Sequence, residues 1–140
     1  MNCAELYKIC SSFRWAIEKV RNSNKFHHRD RMSGFPIGCC DDACDLLGYY
    51  LEHEYGIITK QLVKIVNPNS IERTYHSVLI LDNGIIIDIT GDQLGLSPVY
   101  VGEENNFYKP MGFSKVDYNY NIEEHPNLWN DYNLILEEIE

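Results

Sequence analysis

Apolar positions along the chain follow two different periods, and the change from one to the other divides it. From residue 3 to 22, Leu6, Ile9, Cys10, Phe13, Ile17 and Val20 recur at the three- and four-residue spacing of one helical face. Asn2, with Glu5 three positions on, has the form of a capping box, so a helix is predicted over 3–22. The stretch "NSNKFHHRDRMS" (22–33) is polar and without period, and reads as a loop ending in the turn residues Gly34 and Pro36. A second helix is predicted directly after it. Cys40, Ala43, Leu47, Tyr50 and Leu51 share a face, Asp41 and Asp42 stand in the first turn where carboxylates favour the helix dipole, and Gly56 closes it.

Beyond Gly56 the period shortens to that of strands. Residues 57–66 form one β-branched run, ended by "NPNS". Next come "RTYHSVLIL", the turn "DNG" and "IIIDIT", the strongest hairpin signal in the chain. "PVYV" (98–101) and "FSKVDYNY" (113–120) supply two more predicted strands. Pro126 suits a first helical position, and Leu128, Tyr132, Ile135, Leu136 and Ile139 then define a last amphipathic helix. The order helix, helix, sheet, helix, with no repeat or linker, predicts one α+β domain over 1–140.

Composition narrows the possible chemistry. A chain of 140 residues is long enough to bury a core without staples. Five cysteines is an odd count, two of them are adjacent, and no charged segment followed by an apolar run opens the chain. Reduced thiols and a cytoplasmic location are therefore expected rather than a secreted disulfide framework. No apolar run approaches the roughly 20 residues that span a bilayer. A formal charge of −9, from 21 acidic against 12 basic side chains, repels phosphate backbones and anionic lipid, so neither nucleic acid nor membrane is an expected partner.

Three cysteines fall within "GCCDDAC". Cys40, in the first helical turn, has backbone N–H groups and the positive dipole end aimed at it, which favours the thiolate. Asp41 and Asp42 oppose that, because nearby negative charge disfavours another. An activated thiol therefore needs a histidine, and the histidine a group that orients it. His76 lies in the first strand of the hairpin and Asp88 in the second. A two-residue Asn83-Gly84 loop would pair Asp82 with Ile85 and turn His76 away from Asp88. A three-residue loop, Asp82-Asn83-Gly84 with Gly84 left-handed, pairs Leu81 with Ile85 and sets His76 opposite Thr90, on the face of Asp88. A carboxylate inside "IIIDIT" otherwise lacks a reason, since a buried charge requires a partner.

These residues carry a resemblance. "FPIGCCDDACDLLGYYL" and "HSVLILDNGIIIDITGDQLGLSPVYV" resemble small bacterial proteins of the papain-like and transglutaminase-like cysteine enzymes, with a "FPxGxC" helix and a "HxWxx…IIDIT…DQF" hairpin. The resemblance covers about residues 35–102. It implies a helix bearing the nucleophile, packed on an antiparallel sheet bearing the base and its orienting acid. Cys40, His76 and Asp88 match in order. Val78 stands where the group has tryptophan and Leu94 where it has phenylalanine, and no glutamine precedes Cys40 at the usual short distance. The implied activity is thiol-dependent hydrolysis or acyl transfer at an amide of a protein or peptide, by peptidase, deamidase or transglutaminase chemistry and without a cofactor.

Other readings stand beside this one. Cys39 and Cys44 fit as small packing residues. His27 and His28 with Cys39, Cys40 and Cys44 contain zinc-ligand types but lack the paired spacing of structural sites, so no metal is expected. His53 and His125 read as solvated and "EEIE" as a solvated helix end, while Gln93 reads as holding a turn through its amide, with polarisation of a substrate as its second reading. A non-catalytic binding or inhibitory module on the same scaffold is the alternative to an enzyme.

Overall fold

In the computed structural model, residues 1–66, 69–71, 74–105, 107–108 and 121–139 are described. Among the described residues the fold is α+β: three α-helices and a four-stranded antiparallel sheet in the order β1-β2-β3-β4. Helix α1 spans Cys3–Asn22, and Asn2 Oδ1 accepts from Glu5 N at 2.8 Å, the first half of the expected cap. Its apolar stripe is buried, with Cys10, Phe13, Ile17 and Val20 excluded from solvent. Arg14 is buried on the same helix, a residue that the periodicity did not place inside.

The stretch 22–33 is not a wholly solvated loop. Phe26 and Met32 fill the core, and a 3₁₀ turn forms at Arg31–Gly34. Helix α2 spans Cys40–Tyr55 and ends on Gly56, whose φ of +65° is the left-handed closure that glycine accepts without a Cβ penalty. It buries Leu46 and Tyr49 as well as Ala43, Leu47, Tyr50 and Leu51, a wider face than a surface helix shows, because α1 and α3 cover sides that the sheet does not. Each fully buried Leu or Phe contributes about 1.5–3 kcal/mol. Helix α3 spans Pro126–Glu137 with proline at its start, and buries Tyr132, Ile135 and, against expectation, Asp131.

Strand β1 is Thr59–Val66, two residues shorter than the apolar run, and β2 is Thr74–Leu81. Strand β3 pairs only over Ile86–Asp88, although "IIIDIT" reads as six strand residues. The ladder stops because its next backbone groups are taken elsewhere: Arg14 Nη1 donates to Ile89 O (2.6 Å) and Thr90 N to Asp88 Oδ1 (3.0 Å). The chain then enters a 3₁₀ turn at Gly91–Leu94 and returns as β4, Tyr100–Gly102. The predicted strand at 113–120 lies outside the described residues.

The hairpin takes the three-residue loop. Leu79 pairs with Ile87 and Ile80 with Ile86, while Leu81 N donates to Ile85 O (2.9 Å) and Gly84 N to Leu81 O (2.9 Å). In this register Leu79, Ile87 and Ile89 face the helices, whereas Val78 and Ile86 join Leu62 and Tyr108 in a second cluster on the other face. Among the described residues no helix is long and apolar enough to cross a membrane.

Gly84 has φ +87°, a conformation that costs a residue with a Cβ about 1–2 kcal/mol, although nothing crowds the site. Gly84→Val should therefore lower the unfolding free energy by about that amount in urea titration. Gly34→Ala, where space is open and φ is not positive, should stay within about 0.5 kcal/mol of the parent.

Candidate active site

The register decides the first contact. With Leu81 opposite Ile85, His76 and Asp88 lie on one face as diagonal neighbours, and His76 Nε2 meets Asp88 Oδ2 at 2.8 Å. Neither side chain has any solvent exposure. Two further donors satisfy the carboxylate: Tyr108 Oη donates to Oδ2 (2.7 Å) and Thr90 N to Oδ1 (3.0 Å). Phe107 presents its ring edgewise to the imidazole at 6.4 Å. Lys64 holds this aromatic pair in place, its Nζ donating to Phe107 O (2.9 Å) and lying 4.1 Å from the ring centroid.

Cys40 stands at the first position of α2, after Gly38 with φ +71°. Its Sγ lies 3.8 Å from Tyr75 O, and the His76 imidazole and the Ser77 backbone N–H are near enough to stabilise its thiolate. Asp88 occupies Nε2, and Nδ1 is the ring nitrogen that Gln93 Nε2 approaches at 3.3 Å. Helix and strand are joined beside this contact by Asp41, whose Oδ1 accepts from Gln61 Nε2 (2.8 Å) and from Ser77 Oγ. Asp42 turns away to Arg31 Nε at 3.3 Å.

The electrostatics separate the cysteines. Burial pushes the Cys40 thiol up, but the hydrogen bonds from His76 and Ser77 outweigh burial and the charge of Asp41, so its pKa falls below the ordinary 9.0. Burial works against a charged His76 as well, yet Asp88 and Cys40 raise it to about 9. Both shifts run in the direction of thiolate with imidazolium. Burial pushes Cys39 up to about 12, with Asp42 adding to it, and holds Cys44 well above its usual value. Both pack in the core.

A cleft of about 810 Å³ opens over Cys40, walled by Pro36, Ile37, Tyr75 and Leu94 and by Gln93. Gln93 is where the turn reading fails. Its Nε2 lies 3.3 Å from His76 Nδ1, and the turn is held instead by Asp92, which forms a bidentate pair with Arg14 at 2.8 and 2.7 Å. Tyr108 was missed altogether, since a tyrosine in "NNFYK" gives no sign of its partner. The one local signal is Asn105, whose Oδ1 accepts from Phe107 N and Tyr108 N (2.9 and 3.1 Å) and so marks a turn.

The remaining singled-out residues lie apart. His27 and His28 stack on each other at the surface, and His53 and His125 are exposed. Among the described residues no group of three or more His, Cys, Asp or Glu side chains is disposed to hold a metal ion. The chain matches no protein-family model, no curated protein and no solved structure.

Iodoacetamide should therefore alkylate Cys40 with a pH midpoint below that of an ordinary thiol, while Cys39 and Cys44 stay inert in the folded protein. The midpoint of the rate against pH should move upward in His76→Ala, because the group that lowers the thiol pKa is gone. An unmoved midpoint, read by peptide mass spectrometry, would remove His76 from the thiol's environment.

Proposed function

We propose that the protein is a thiol-dependent hydrolase or acyl-transfer enzyme acting on an amide, built on a papain-like or transglutaminase-like core. The observation that supports it is the buried imidazole held at Nε2 by Asp88 and in contact with the Cys40 thiol, with the two pKa values displaced toward the ion pair. Structural ion pairs also displace pKa values. A reduced cysteine that lines an open cleft has no structural purpose that burial would not serve better.

In this reading Cys40 Sγ attacks the carbonyl carbon of a peptide bond or a glutamine side chain. The C=O electrons move to oxygen, where the backbone N–H of Cys40 and the Gln93 amide can donate to the developing charge. Collapse breaks the C–N bond, and the amine leaves with a proton from His76. Water, deprotonated by the now neutral His76, attacks the thioester, releases the acid and returns the thiol. A second amine in place of water gives transamidation. Asp88 fixes the tautomer that presents Nδ1 to the sulfur. Tyr108 and Thr90 keep that carboxylate in one orientation. The five cysteines are free, and a reducing compartment such as the cytoplasm keeps the nucleophile available.

The test is acyl-enzyme formation. Mixed with activated esters, peptides and glutaminyl peptides, the protein should acquire an acyl mass on Cys40 that Cys40→Ala lacks. Asp88→Asn should fold yet turn over about 10²–10⁴-fold more slowly, and Gln93→Ala should lose about 10²–10³-fold with an unchanged alkylation profile. No adduct with any of these donors would leave the scaffold as a binding module.

A further inference from the structure

A second cavity, of about 470 Å³, lies between the 29–31 segment, the start of α2 and the start of α3. Three carboxylates converge on it: Asp30, Asp42 and Asp131. Asp42 has a cation, Arg31, whose side chain is 70% exposed at the mouth. Asp131 does not. It is 1% exposed, its Oδ1 has no hydrogen-bond partner, and its carboxyl touches that of Asp30. A buried carboxyl group in contact with a half-buried one is stabilised by a shared proton or a cation. Burial, and then the charge of Asp30, push Asp131 up to about 7, so a proton can occupy this place when no ligand does.

We propose that this cavity binds one primary ammonium group, that of a lysine side chain on a peptide, with Asp131 and Asp30 as its anionic partners. An ammonium is a compact charge with three diverging N–H donors, which suits carboxylates that approach from α3, from α2 and from the loop. A metal ion is a poorer fit, since no trio of acidic or histidine side chains among the described residues is disposed to coordinate one. Leu128 and Pro126 offer apolar surface to a four-carbon stem. Arg29 and Arg31 at the mouth suit backbone carbonyls and oppose a second cation, which favours a peptide lysine over a free diamine. The inference does not rest on Cys40 chemistry.

Calorimetry with Nα-acetyl-lysine methylamide on the full chain tests it. Saturable one-to-one binding is expected, at least about tenfold tighter than for the norleucine analogue and than for Asp131→Asn, as loss of a charged hydrogen bond predicts. Asparagine removes a buried charge without changing shape, so this variant should fold. A second measurement needs no variant: near pH 6, repeating the titration in buffers of different ionisation enthalpy should show a proton released as the ammonium displaces it. Absence of saturation, equal binding by norleucine or by Asp131→Asn, or binding without proton release would each overturn the site. Tighter binding of 1,4-diaminobutane would overturn the peptide lysine as its occupant.

Discussion

The structure depends on the removal of one ion pair from water. His76 and Asp88 have no exposure, and taking a carboxylate or an imidazolium out of water costs several kcal/mol unless every lone pair and proton is used. Here they are used. One carboxylate oxygen receives His76 and Tyr108, the other the Thr90 N–H, and the far side of the imidazole faces Cys40 and Gln93. Remove the hairpin register and the pair is separated; remove Tyr108 and one carboxylate oxygen loses a donor in a place no water reaches.

The same residue type serves opposite ends around this pair. Cys39, Cys40 and Cys44 lie within six residues, yet only Cys40 borders the cleft. Its neighbour Cys39 turns into the core, and Cys44, one helical turn on, follows it there. Burial disfavours the thiolate at all three, and the His76 hydrogen bond is what sets Cys40 apart. Position at a helix start does not activate a thiol by itself, since Asp41 in the same turn opposes it.

Support for the site extends to the first helix. Arg14, buried on α1, donates to Ile89 O, Pro98 O and both oxygens of Asp92. It thereby ends β3 just after Asp88 and fixes the 3₁₀ turn that carries Gln93. Gly91 completes this corner: a Cβ there would sit 2.6 Å from Ser97 O and 3.1 Å from Asp88 Oδ2. A helix that contributes nothing to the cleft thus sets the position of two side chains near it.

What the sequence determined by itself was whatever is decided by neighbours along the chain. Helical period and caps are local, so α1 and the closure of α2 at Gly56 were legible to the residue. Turn chemistry is local too, but it left two loops open, and the need of Asp88 for a partner favoured the register in which His76 meets it. Tertiary structure decided the rest, because it concerns groups that only folding brings together. Phe26 and Met32 sit in a polar stretch and Asp131 on an amphipathic helix, and nothing beside them in the chain says that they are buried. Tyr108 reaches Asp88 across 20 residues, Gln93 reaches His76 across 17, and Arg14 reaches Ile89 across 75. Polar side chains of this kind pair by distance and direction rather than by period, and neither quantity is written in the order of the residues.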